Sequence, residues 1–105
     1  LGRMTLGVIL TVRSEAIEQF HAFERKAAQI MARYGGAIER TVVLPFETAP
    51  DRFKEVHIVT FPNREAFEAY RADADLRAAA HLREAAVLAT EIHEGEDGPD
   101  YHAPG

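Results

Sequence analysis

The chain has 105 residues, one domain's worth, enough to bury a core without staples yet small enough that burial against a second copy would add stability. Apolar residues make up 47% and charged residues 28%, the balance of an ordinary globular domain. Cysteine is absent and the formal net charge is −5, which excludes disulfides, thiolate catalysis and Cys-based zinc sites, and argues against nucleic acid and anionic membrane surfaces, both of which demand clustered Lys and Arg.

No stretch approaches the roughly eighteen consecutive apolar residues of a membrane span. The start lacks a charged segment followed by an apolar run and a small-residue cleavage site, so no secretory signal is expected. Leu1 is not an initiator, and Met4 is the expected native start. A cytoplasmic protein is expected on these grounds.

The run 6–12, Leu-Gly-Val-Ile-Leu-Thr-Val, is β-branched and aliphatic and predicts a first strand. Ser14 follows as an expected helix N-cap, with Glu15 and Glu18 favourably placed near the helix start. From 15 to 34 the period is helical, and Ile17, Phe20, Phe23, Ala27, Ile30, Met31 and Tyr34 share one stripe. Gly35 and Gly36 stop this helix, with Gly35 suited to the left-handed C′ position.

A second strand is predicted over 37–44, and a turn-rich loop with Pro45 and Pro50 follows. The third strand covers 53–61. Pro62 and Asn63 end it, and Asn63 is placed to cap the next helix. That helix carries Phe67 and Tyr70 on one face. The run 72–75, Ala-Asp-Ala-Asp, predicts a kink or restart with Asp73 as cap. Leu76, Ala79, Leu82 and Ala86 continue the stripe. A fourth strand is predicted over 87–94, and a mobile arm from Gly95 onward.

The order is β-α-β-β-α-β, an α+β ferredoxin-like domain over 1–94 followed by a flexible tail over 95–105. Right-handed crossovers turn this order into a four-stranded antiparallel sheet with two helices on one face, the first strand lying between the third and the fourth. The other sheet face is then left open. If Val8, Leu10 and Val12 face the helices, that open face carries Gly7, Ile9 and Thr11. The third strand is apolar on both parities, with Val56 and Ile58 on one and His57, Val59 and Phe61 on the other. An apolar face of that kind marks an interface, and packing two such sheets together would bury both. A homodimer is expected.

Tyr34-Gly35-Gly36 at the helix end, Ile38-Glu39-Arg40 at the strand start, and the run from Phe61 through Pro62, Asn63, Arg64, Glu65, Ala66, Phe67, Glu68 and Ala69 to Tyr70 together resemble the dimeric α+β barrel superfamily, and within it small bacterial families of unknown function. The resemblance spans nearly the whole chain. It implies a homodimer whose two sheets close into a barrel. Relatives in that superfamily include cofactor-independent monooxygenases, small decarboxylases and isomerases, haem-handling proteins and stress proteins, and the fold does not choose among them.

Three groups of residues carry possible chemistry. Glu91 and His93, two apart on the fourth strand, share a face, and His57 is expected roughly 10 Å away across the first strand, at twice the strand spacing. Two imidazoles and a carboxylate can move a proton, although residues of this type at a barrel rim are more often plain polar positions, and no metal site is expected. Arg40 on the edge strand suits a bidentate carboxylate ligand, against the commoner role of an edge-strand charge. Tyr34 offers a hydroxyl to a pocket between helix and sheet, beside Phe20, Phe23 and Met31, whose helical spacing otherwise means core. Glu24 flanks that stripe. It becomes an acid of raised pKa if it points inward, but a helix-flank Glu is ordinarily solvated. His21 and His81 fall off their stripes and belong to the surface, and His102 lies in the tail.

The same topology serves RNA-recognition domains, but the third strand lacks their glycines and interior aromatic pair. The expected function is a small-molecule-binding protein or a cofactor-independent enzyme, monooxygenase-like or isomerase-like, with no cofactor required. The alternative is a non-catalytic dimeric module that binds a protein or has a structural role.

Overall fold

The computed structural model describes residues 2–103. The elements are β1 (Met4–Arg13), a 3-10 turn (Ser14–Ala16), α1 (Ile17–Arg33), β2 (Ala37–Pro45), β3 (Arg52–Phe61), α2 (Arg64–Arg71), α3 (Ala74–Ala78), α4 (Ala80–Ala86) and β4 (Val87–Gly95). The strands form one antiparallel sheet in the order β2-β3-β1-β4. This is the ferredoxin-like α+β arrangement that the element order predicts.

Strand alternation sorts the side chains between faces. Met4, Leu6, Leu10 and Val12 of β1 are buried under the helices, as are Phe53, Val59 and Phe61 of β3. From α1 they meet Phe20 and Met31, and from α2 they meet Phe67. The Phe61 ring lies 5.3 Å, centroid to centroid, from both Phe67 and Tyr70. Gly36 makes this packing possible, because a Cβ there would overlap the Phe61 ring. Gly35 takes the left-handed conformation, φ 73°, which closes α1 as expected.

Helix starts differ from expectation at one end of the chain and agree at the other. Asn63 caps α2 by accepting from the Ala66 N–H at 2.8 Å. Ser14 does not cap α1. Its hydroxyl donates instead to the Pro50 carbonyl at 3.1 Å, joining the end of β1 to the loop before β3. The 3-10 turn takes up the residues between, and α1 begins at Ile17, which is 39% exposed and so off the core stripe.

The kink expected over 72–75 is a full break. Asp73 is extended and accepts from the N–H groups of Asp75 and Leu76 at 2.8 and 3.3 Å, starting α3. A second break at Ala79 separates α3 from α4. The helical return is therefore three short segments lying on one face. The β4 strand runs one residue further than predicted, through Gly95. Beyond it, Asp97 accepts from the Thr5 hydroxyl at 2.9 Å. Leu1, Pro104 and Gly105 lie outside the described residues.

The face away from the helices carries Ile9 and Val56, half-buried, and Val42, Leu44 and Ile58, all exposed. No helix long and apolar enough to cross a membrane is present among the described residues.

Candidate functional site

Two core positions of β3 are polar. On its helix-facing parity the strand reads Phe53, Glu55, His57, Val59 and Phe61, all buried. Glu55 and His57 are 8% and 3% exposed, so each sits where an apolar side chain would pack at no desolvation cost. Burying polar and charged groups is unfavourable unless they are paired, and these two are. The His57 Nε2–H donates to Glu55 Oε1 at 2.7 Å. That bond fixes the ring orientation and leaves Nδ1 free for a second partner. Nδ1 faces Glu24 Oε2 of α1 at 3.8 Å.

Glu24 stands next to Phe23 and one helical turn after Phe20, whose ring lies 6.5 Å from that of His57. It points inward. Burial raises its pKa above the usual 4.5, and the charge of Glu55 adds to the effect, while His57 and Arg83 oppose it. A carboxyl whose pKa is raised by burial holds its proton more readily than a solvated one, which suits it to proton transfer. The result is a line of three groups, Glu24, His57 and Glu55, running from α1 onto the helix-facing side of β3.

This line ends on a cavity of about 310 Å³ between the helices and the β3-β1-β4 part of the sheet. Its walls are apolar, with Leu6, Val8, Leu10, Val59, Phe61 and Phe67 prominent, and Glu24 and His57 are exposed to it. Tyr70 also lines it. Burial first, and then the charge of Glu24, raise the Tyr70 phenol above its usual 10.0, so at neutral pH it is a hydrogen-bond donor. Arg71, Arg77 and Arg83 complete the lining, and Arg83 bonds the Thr90 hydroxyl.

Of the residues singled out from the sequence, His57 and Glu24 lie in this site, with Phe23 and Met31 of the first-helix stripe in the cavity wall. His57 pairs with Val8, and Val8 with Ile92, so Ile92 shares its face. Glu91 and His93 point to the other side, where they are exposed and lie 3.9 Å apart. The expected three-residue constellation is therefore split across the sheet. Tyr34 is also elsewhere, its hydroxyl donating to Asp73 Oδ2 at 2.7 Å. Arg40 pairs in register with Ile58 and is exposed on the open face of the edge strand. A register shift between Ile38 and Arg40 sits at this strand, where Glu39 accepts from Thr60 at 2.8 Å.

The sequence does not single out Glu55, Tyr70 and Arg83 as site residues, and of the two orientations open to Glu24 the structure takes the inward one. A signal existed for Glu55, since it alternates with Phe53 and His57 on one parity. Among the described residues no group of three or more His, Cys, Asp and Glu side chains is placed to hold a metal ion.

No family model and no curated protein sequence matches the chain. Solved structures do. A protein of unknown function from Rhodopseudomonas palustris, RPA0582, superposes with a TM-score of 0.77 at 19% identity, over 94% of this chain and 85% of that one. SnoaB, a cofactor-independent oxygenase from Streptomyces nogalater, superposes with a TM-score of 0.67 at 17% identity, over 96% and 98% of the two chains. A protein from Nitrosomonas europaea that carries the provisional name antibiotic biosynthesis monooxygenase gives 0.64 at 17% identity, over 90% and 97%. At these identities the likeness establishes the fold alone, the ferredoxin-like α+β arrangement.

Proposed function

We propose that this chain is a cofactor-independent enzyme that binds a small, largely apolar molecule in the cavity and removes a proton from it. The observation that carries the reading is the Glu24–His57–Glu55 line, buried at positions where the fold alone favours apolar side chains and ending on an apolar pocket. The cavity volume falls at the lower end of the range typical of ligand pockets, about 300–1,000 Å³.

The geometry supports the following proton transfer. The Glu24 carboxylate, at the cavity wall, takes a proton from an acidic C–H or O–H of the substrate, leaving an enolate or phenolate. Glu24 passes that proton to His57 Nδ1, and Glu55 stabilises the resulting imidazolium through Nε2–H, as the buried carboxylate does in acid–base triads. Tyr70 is placed to donate a hydrogen bond to the developing oxyanion. The electron-rich anion then either takes a proton back at another position, an isomerisation, or is oxidised by dioxygen: carbon bonds to one oxygen atom, which becomes a carbonyl, and the O–O bond breaks to release the other as water with the transferred proton and the remaining hydrogen of that carbon. The oxygenase named among the structural neighbours supports the second course.

The working unit is proposed to be a homodimer. Ile9, Val42, Leu44, Val56 and Ile58 make the face opposite the helices apolar, and two such faces packed together would be buried.

The test is turnover with a panel of bicyclic phenols and enolisable aryl ketones, followed by deuterium uptake from D2O and by oxygen consumption. Saturable exchange or oxygen uptake is expected, falling by about 100-fold or more in Glu24→Gln and His57→Gln, the usual range for a lost acid–base group. Absence of both signals across the panel, or full activity in both variants, would overturn the reading.

A further inference from the structure

The arginines of the cavity say what kind of molecule it takes. The chain carries a net charge of −5, yet this apolar cavity is lined by Arg71, Arg77 and Arg83, with Glu24 the single acidic residue among the lining side chains. With one carboxylate against three guanidinium groups, the lining is cationic in a molecule that is acidic overall.

None of the three arginines is held by a buried carboxylate among the described residues. Arg77 forms no ion pair among the described residues. Arg71 approaches Glu68 only at 3.8 Å, on the exposed side of α2, and stacks over the Phe67 ring at 5.4 Å. Arg83 bonds a neutral hydroxyl. Arg71 closes α2 and Arg77 sits in the last turn of α3, so the helix break at Asp73 brings both to the same pocket. A guanidinium resting on an aromatic wall is oriented in advance for a planar anion, because it presents a fork of fixed donors.

We propose that the natural ligand is an organic anion, an aromatic or alicyclic body ending in a carboxylate. The body fills the apolar cavity against Val8, Phe61 and Phe67, and the carboxylate meets Arg71 and Arg77. This rests on the reading of the cavity as the ligand site and adds the charge of the ligand to it.

The test compares two probes with one apolar body, 2-naphthoate and 2-naphthamide, by isothermal titration on the full chain and on the Arg71→Gln/Arg77→Gln double variant. The acid is expected to bind about 10-fold tighter than the amide or better, the usual gain of a charge-assisted hydrogen bond. In the double variant that preference should vanish while the amide binds as before, which also shows that the cavity is intact. Equal binding of acid and amide to the unaltered chain would overturn the anion proposal and leave the ligand cavity standing. An undiminished preference in the double variant would overturn the assignment to these two arginines. If neither probe binds, the cavity reading falls and this proposal with it.

Discussion

Glu55 and His57 stand two residues apart on β3, on the same side of the sheet, joined by a 2.7 Å hydrogen bond under the helices. Each was built at a position flanked by Phe53, Val59 and Phe61. Breaking a buried polar pair by removing one partner typically costs about 3–5 kcal/mol, whereas replacing both partners with well-packed apolar side chains is neutral or stabilising. Urea denaturation should therefore show His57→Ala strongly destabilised and Glu55→Leu/His57→Phe at least as stable as the unaltered chain, though inactive. A double variant that is much less stable would mean that the pair serves the fold.

Glu24 gives the pH dependence its sign. Its pKa in the folded protein is raised above the usual 4.5 by burial, so the native state favours the protonated carboxyl. Its favourable contribution is complete below about 4 and is lost as pH rises through the folded pKa. Glu24→Gln should therefore unfold at a higher temperature than the unaltered chain at pH 7, and the gap should close toward pH 4. Thermal melts at a series of pH values check this.

Tyr34 and Asp73 titrate in the opposite senses. The Tyr34 hydrogen bond holds the Asp73 carboxyl below its usual 3.8, and the same bond raises the Tyr34 phenol above 10.0. The Asp73 contribution is present above about 4 and is lost as pH falls through its lowered pKa; the Tyr34 contribution is present below about 10 and is lost as pH rises through its raised one. The tie between α1 and the start of α3 should thus be at full strength between those limits. Tyr34→Phe should lower the melting temperature across that plateau and remove part of the alkaline decline.

Gly36 faces the Phe61 ring with no room for a side chain. Gly36→Ala forces the ring or the α1–β2 connection to move, and overpacking of this kind costs about 1–3 kcal/mol. Because Phe61 also lines the cavity, ligand affinity should fall together with stability in denaturation and titration experiments.

Ile58 lies on the open face near Val42 and Val56. Ile58→Asp would place a charge in the centre of the proposed dimer interface. Native mass spectrometry should show a dimer for the unaltered chain and a monomer for the variant. A monomer for both at micromolar concentration would remove the dimer from the proposal.

The readings from sequence succeeded where the signal is short in range. Asn63, Asp73 and Gly35 act at the ends that their types predict, because caps and left-handed closures depend on a few neighbouring dihedral angles. Ser14 shows the limit. It has the right type for a cap, but the Pro50 carbonyl, far along the chain, takes its hydroxyl. For Glu24, a residue beside the stripe is free to turn either way, and its facing His57 at 3.8 Å depends on how another element packs against the helix.

Periodicity and breakers along the chain were thus enough to determine the βαββαβ order, the antiparallel sheet with β1 at its centre, and the helix-facing parity of β1. Strand alternation alone placed His57 with Val59 and Phe61. The tertiary structure decided the chemistry. Pairing registers across β3, β1 and β4, with an irregularity between Thr11 and Val12, put Glu91 and His93 on the opposite face from His57. Helix packing brought Glu24 to its ring. Parity along one strand is a local property, whereas the relative phase of two strands and the rotation of a helix over them are settled only when the whole core packs at once.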